Sequence, residues 1–181
     1  METGYSKWRK LDNAALAFPL VTGKNDTRVF RFYCECKETV DPEVLQQALD
    51  ETMKKYPLFQ AVLRKGLFWF YLEHSHIRAL VKPETEPPCS RLYIPDKKSL
   101  LFQVSYYKER INFEVFHALT DGTGAMHFLQ ELVQNYLILA HPKENFPEIG
   151  RDKKTGRGNI EEDSFSQYYS SDIPKNREKK I

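Results

Sequence analysis

The chain has 181 residues, 41% of them hydrophobic and 29% charged, the size and composition of about one globular domain with a buried core. Its formal net charge of +2 is too small to argue for nucleic acid or an anionic membrane surface as partner. No apolar run approaches the roughly 18 residues of a membrane span, and the opening Met1-Glu2-Thr3-Gly4-Tyr5-Ser6-Lys7-Trp8 has no apolar segment of the kind a secretory signal needs.

Trp8, Leu11, Ala14, Ala15 and Phe18 recur at roughly helical intervals, which predicts a short amphipathic helix or arm starting near Asp12 and stopped by Pro19. After the turn Gly23-Lys24-Asn25-Asp26, residues 29–37 alternate. Phe30, Phe32, Cys34 and Cys36 fall on one face, and Arg31, Tyr33, Glu35 and Lys37 on the other, as in a half-buried strand. Asp41-Pro42-Glu43 is a helix start, with Asp41 as N-cap and Pro42 at the first helical position. Val44, Leu45, Ala48, Leu49, Thr52 and Met53 make the buried stripe of that helix, and Tyr56-Pro57 ends it. Residues 59–64 and 67–73 read as a hairpin about Lys65-Gly66, and residues 77–81 as a short strand. Pro83, Pro87 and Pro88 make 83–90 a loop. Residues 100–107 and 111–116 form a second hairpin around Lys108-Glu109-Arg110. Hairpins outnumber crossovers, which points to an α+β fold with a largely antiparallel sheet packed with helices.

The three cysteines, Cys34, Cys36 and Cys89, form no metal-binding pattern, and an odd number argues against a disulfide framework. A reducing cytoplasm is the default setting. His74-Ser75-His76 has no third ligand at metal spacing, so no metal is expected. No glycine-rich phosphate loop or Gly-x-Ser-x-Gly context occurs, which leaves nucleotide chemistry and a serine nucleophile without support. From Lys143 to Ile181 the chain is polar and loop-like. The expected division is therefore a domain at 1–142 and a polar linker at 143–181.

The period changes from two to 3.6 across residues 116–122. Residues 111–116 alternate as a strand, and Ala125, Phe128, Leu129, Leu132, Val133, Tyr136 and Leu137 follow at helical spacing. This predicts that Phe116 ends a strand and that residues 124–139 form a helix. His117 then sits at a strand end in a turn, where a rigid backbone can present an exposed imidazole for general acid–base work. Asp121 could orient that ring or brace the turn, and Gly122 and Gly124 loosen the backbone there. The plain alternative is that His117 merely ends the strand while Asp121 caps the helix.

His117-Ala118-Leu119-Thr120-Asp121-Gly122 resembles the His-x-x-x-Asp-Gly signature of the chloramphenicol acetyltransferase-like superfamily, which includes alcohol acetyltransferases, plant acyltransferases and peptide-synthetase condensation domains. The resemblance covers roughly residues 8–140. Lys55-Tyr56-Pro57-Leu58-Phe59 followed by Leu63-Arg64 is a second, local match. The signature itself has one histidine where condensation domains carry two. The resemblance implies a half-domain of that fold and an acyl transfer in which His117 is the base. Asp121 and Gly122 would be structural at the active site, with the aspartate paired to an arginine, Arg64 first and Arg31 behind it. It implies acetyl-coenzyme A or another acyl-coenzyme A as co-substrate, with a carrier-protein pantetheine as the alternative donor and no bound cofactor. The acceptor would be a small alcohol or amine. A second half, or a homo-oligomer partner, would supply the other wall of the site. The competing expectation is a non-catalytic module that recognises a carrier protein or peptide.

Overall fold

The computed structural model describes residues 8–11, 15–23, 26–67, 69–95, 97–144 and 146. The helix start expected at Asp12 and nearly all of the expected linker at 143–181 lie outside the described residues. In chain order the elements are β1 (Trp8–Lys10), α1 (Ala17–Val21), β2 (Val29–Glu35), α2 (Pro42–Lys55), a 3-10 turn (Pro57–Phe59), β3 (Ala61–Lys65), β4 (Phe70–His74), β5 (Val81–Pro83), β6 (Phe102–Tyr107), β7 (Arg110–Phe116) and α3 (Gly122–Ala140).

Local chemistry sets most of these boundaries. Asp41 accepts hydrogen bonds from Glu43 N and Val44 N, and Pro42 opens α2 at a position where no backbone N–H is required. Between β6 and β7 the register Tyr107↔Arg110 leaves a two-residue loop. Lys108 takes φ 50° there, as tight hairpin loops require. The expected strand at 77–81 is displaced to Val81–Pro83, where Pro83 is tolerated because β5 is an edge strand. Pro19 does not stop a helix. It is the third residue of α1 and is buried, in a first turn where the missing N–H costs nothing. Trp8, counted in the helical spacing ahead of Asp12, lies in β1, which pairs antiparallel with β4 in the register Arg9↔Leu72. An open strand edge that takes up main-chain hydrogen bonds outweighs a weak helical period.

The strands form a three-stranded sheet, β1-β4-β3, and a four-stranded sheet, β2-β7-β6-β5. Pairing is antiparallel except between β5 and β6. The architecture is α+β. Along β7, Ile111, Phe113 and Val115 join α2 and α3 in one core. Its centre is aromatic: Phe59 stacks on Phe128 at 4.5 Å and Phe113 on Phe128 at 4.6 Å. Phe116 points the other way, into a second core with Leu63, Phe70 and Leu72 of the three-stranded sheet. The last residue of β7 is therefore gripped by one core while its neighbour Val115 is gripped by the other.

Candidate active site

That double grip fixes the turn that follows. Phe116 is fully buried, and its N–H donates to Leu101 O at 2.7 Å. The next N–H, that of His117, donates to Arg28 O at 2.9 Å. One hydrogen bond thus ties the chain to the approach of β6, and the next ties it to the approach of β2. Leu119 N–H closes the turn onto Phe116 O at 2.9 Å, and Ala118 is buried beneath it. A histidine here has little backbone freedom.

The ring is held as well. Phe18 of α1 stacks on the His117 imidazole with centroids 4.4 Å apart and planes 17° apart. Phe30 of β2 lies 5.0 Å away, tilted by 57°. Such ring pairs are worth about 0.5–1.5 kcal/mol beyond the area they bury. The imidazole remains half-buried, and among the described residues no side chain hydrogen-bonds to it. Phe18 and Phe30 were not legible as site residues, since Phe18 read as part of an arm and Phe30 as an inward strand position.

Asp121 is the N-cap of α3. Its Oδ1 accepts from Gly124 N–H at 2.8 Å, its carbonyl accepts from Ala125 N–H at 3.0 Å, and its side chain is exposed. Gly122 begins the helix near the tip of Phe32. Gly124 has a sharper requirement, because a Cβ there would meet Thr120 Oγ1 at 2.2 Å. The expected arginine partners are engaged elsewhere. Arg64 donates from Nε to Glu73 Oε2 at 2.6 Å across the β3–β4 hairpin, and that hydrogen bond holds the Glu73 carboxyl below its ordinary range. Arg31 points to the face of the four-stranded sheet opposite the helices, where it pairs with Glu114 and Glu84. Asp121 therefore braces the turn as a cap, and Arg64 braces the neighbouring hairpin. An exposed carboxylate that already accepts a backbone N–H needs no buried counter-ion.

Arg31 belongs to a polar cluster built on the face of that sheet away from the helices. Glu114, fully buried, accepts from Arg31 Nε at 2.9 Å, from Cys89 N–H at 2.6 Å and from Gln103 Nε2. Glu84 bridges Arg31 and Arg110. Burial pushes the Glu84 carboxyl up, but the hydrogen bonds and charges of Arg31 and Arg110 outweigh it and hold the group below its ordinary value. His74 and His76 meet edge-on at 5.4 Å. Among the described residues no group of three His, Cys, Asp or Glu is placed to hold a metal ion.

No family model and no curated protein matches the sequence. Solved structures do match the fold. The starter condensation domain of rhizomide synthetase RzmA aligns with a TM-score of 0.62 and 13% identity, over 86% of this chain and 44% of its own. The fold is shared with condensation domains. Polyketide synthase associated protein 5 from Mycobacterium tuberculosis aligns with a TM-score of 0.57 and 16% identity, over 79% of this chain and 36% of its own. A variant of the RzmA domain in complex with C8-CoA gives a TM-score of 0.62 and 14% identity, over 76% and 37%. The chain spans less than half the length of each of these proteins. Condensation domains belong to the chloramphenicol acetyltransferase-like superfamily, so the fold expected from the His-x-x-x-Asp-Gly resemblance is the fold observed. Among the described residues, no helix is long and apolar enough to cross a membrane.

Proposed function

We propose that the protein is an acyltransferase of the coenzyme A-dependent O- or N-acyl type, with His117 as general base. The observation that carries this reading is the turn itself, where two consecutive backbone hydrogen bonds fix His117 while its ring stays half-exposed between Phe18 and Phe30. A neutral imidazole held in this way can remove the proton from an alcohol or amine as its oxygen or nitrogen attacks a thioester carbonyl. The tetrahedral intermediate then collapses, the carbon–sulfur bond breaks, and the imidazolium returns the proton to the departing thiolate. No acyl-enzyme is required, because bringing the two substrates together supplies much of the rate.

The donor in this reading is acetyl-coenzyme A or a longer acyl-coenzyme A, with a carrier-protein pantetheine as the other source. The complex of a related domain with C8-CoA supports a coenzyme A thioester. Because the chain spans less than half the length of its structural relatives, the reading includes a second wall for the site, supplied by a further half or by another copy, and low turnover without it. A cytoplasmic setting belongs to the same reading, since three free cysteines suit a reducing compartment.

One observation favours a second reading, a non-catalytic module that recognises a carrier protein or peptide. Among the described residues, Asp121 has no arginine partner of the kind the resemblance implies. Thiol release from acetyl- and octanoyl-coenzyme A, measured with a panel of alcohols and amines on the native full-length protein, separates the two. Release that depends on His117 supports the acyltransferase. Release from neither wild type nor His117→Ala, with thioester binding retained, supports the module.

A further inference from the structure

A cleft of about 330 Å³ opens beside the N-terminal end of β6, within the size range of small-molecule sites. Its charge is one-sided. Lys82, Arg91, Lys97 and Lys98 line it, and no acidic side chain does among the described residues. None of the four makes an ion pair among those residues, whereas Arg28, Arg31, Arg64, Arg78 and Arg110 all do. Lys98 also lies near enough to Glu73 to help lower its carboxyl, but Arg64 is the direct partner there. Four cations around one concavity repel one another, and an anion relieves that repulsion. Leu80 and Ile94, 54% and 39% exposed, add apolar wall beside the charges.

The cleft is at the His117 end of the sheet. Leu100 lines it, and the next residue, Leu101, accepts the Phe116 N–H through its carbonyl. The segment carrying Arg91 also carries Tyr93, which stacks on Phe116 at 5.6 Å. From β7 across β6 to the cleft is two strand spacings, about 10 Å. The imidazole packs on Phe30 of β2, one strand further from the cleft, so a ligand that puts charge in the cleft and a reacting carbon beside the ring has to extend across about three strand spacings.

We propose that this cleft binds the phosphate-bearing end of a pantetheine thioester and so orients the acyl donor toward His117. The proposal rests on the acyl-transfer reading for the identity of the donor, while the demand for an anion stands on the cleft alone. The phosphates of free coenzyme A and the phosphodiester of a pantetheine-loaded carrier protein offer the same chemistry, so both belong in the test.

The test is binding to the full chain by calorimetry, with coenzyme A, dephospho-coenzyme A, pantetheine and a pantetheine-loaded carrier protein as ligands. Wild type is compared with Lys82→Gln and with Lys97→Gln/Lys98→Gln, which are exposed positions. Circular dichroism confirms that each variant is folded. The expected result is that coenzyme A binds and pantetheine does not, and that each variant weakens coenzyme A about tenfold, a factor worth about 1.4 kcal/mol. Coenzyme A binding should also weaken with rising salt in wild type. Tighter binding of the loaded carrier than of free coenzyme A, with the same dependence on the lysines, assigns the phosphodiester as the source. Wild-type affinity in both variants, equal binding of pantetheine and coenzyme A, or no binding of any phosphate ligand overturns the proposal. Lysine-dependent binding without any thiol release in the turnover assay keeps the anion cleft and removes the acyltransferase reading instead.

Discussion

The two faces of the four-stranded sheet solve the same burial problem with opposite chemistry. Toward the helices, β7 presents Ile111, Phe113 and Val115 to a core of stacked aromatic rings. Away from them, it presents Asn112 and Glu114 to Arg31, Glu84 and Gln103. The aromatic face is held by area removed from water and by packing, which do not depend on pH. The ionic face is held by pairs whose desolvation cost is met only while every partner is present and charged. It is also incompletely satisfied, since Asn112 Oδ1 and Arg110 Nε are buried without a hydrogen-bond partner among the described residues. At the other end of β7 from Arg110, His117 follows the strand's last residue.

Breaking the aromatic face should have the largest effect on stability. Phe128→Ala is expected to cost about 3–5 kcal/mol in chemical denaturation, with the same loss at pH 7 and at pH 5. Breaking one member of the ionic face should approach that size. Glu114→Leu leaves the Arg31 guanidinium short of a buried partner, and such losses run to about 3–5 kcal/mol. Adding Arg31→Leu should recover part of the loss, because removing a buried pair is cheaper than orphaning half of it. If the double variant is as unstable as the sum of the two single variants, the ionic pairing has been misread.

A pH series sharpens the same contrast. The Glu84 carboxyl titrates lower in the folded chain than in the unfolded one. It therefore contributes stability at pH values above its unfolded value, near 4.3, and that contribution is lost as pH falls through the folded value. Wild type should lose stability on acidification through this window, and Glu84→Gln should start less stable and lose less. Parallel curves for the two proteins would contradict the assignment. The smallest effect belongs to the turn. Asp121→Ala removes the α3 cap and should cost about 1 kcal/mol, whereas Asp121→Asn, which can still cap, should lie within a few tenths of wild type by thermal melting.

What could be read from the sequence follows the range of the interaction that decides it. Asp41-Pro42 announces α2 because an N-cap and a proline act within one turn. The alternation of 111–116 and the helical spacing after Gly124 announce β7 and α3 because each pattern repeats locally. The position of His117 at the strand end follows from those two patterns. The arginine pairings do not, because Arg31, Glu84 and Glu114 meet only once β2, β7 and the loop after β5 have assembled. The resemblance pairs Arg64 with Asp121, but its neighbour across the hairpin is Glu73. Phe18 over His117 is a contact between a short helix and a distant turn, and no spacing rule encodes it. The basic cleft is equally tertiary, since Lys82, Arg91, Lys97 and Lys98 converge only around β6.

The central claim divides labour within the turn, giving the chemistry to His117 and the bracing to Asp121. Thiol release from acyl-coenzyme A should be measured for wild type, His117→Ala and Asp121→Asn of the native full-length protein under identical conditions. The account predicts a loss of about 100- to 10,000-fold for His117→Ala, the usual cost of removing a general base, and a rate for Asp121→Asn close to wild type. A comparable loss in Asp121→Asn would contradict it and make the pair a catalytic dyad, and an unchanged rate in His117→Ala would remove the base altogether.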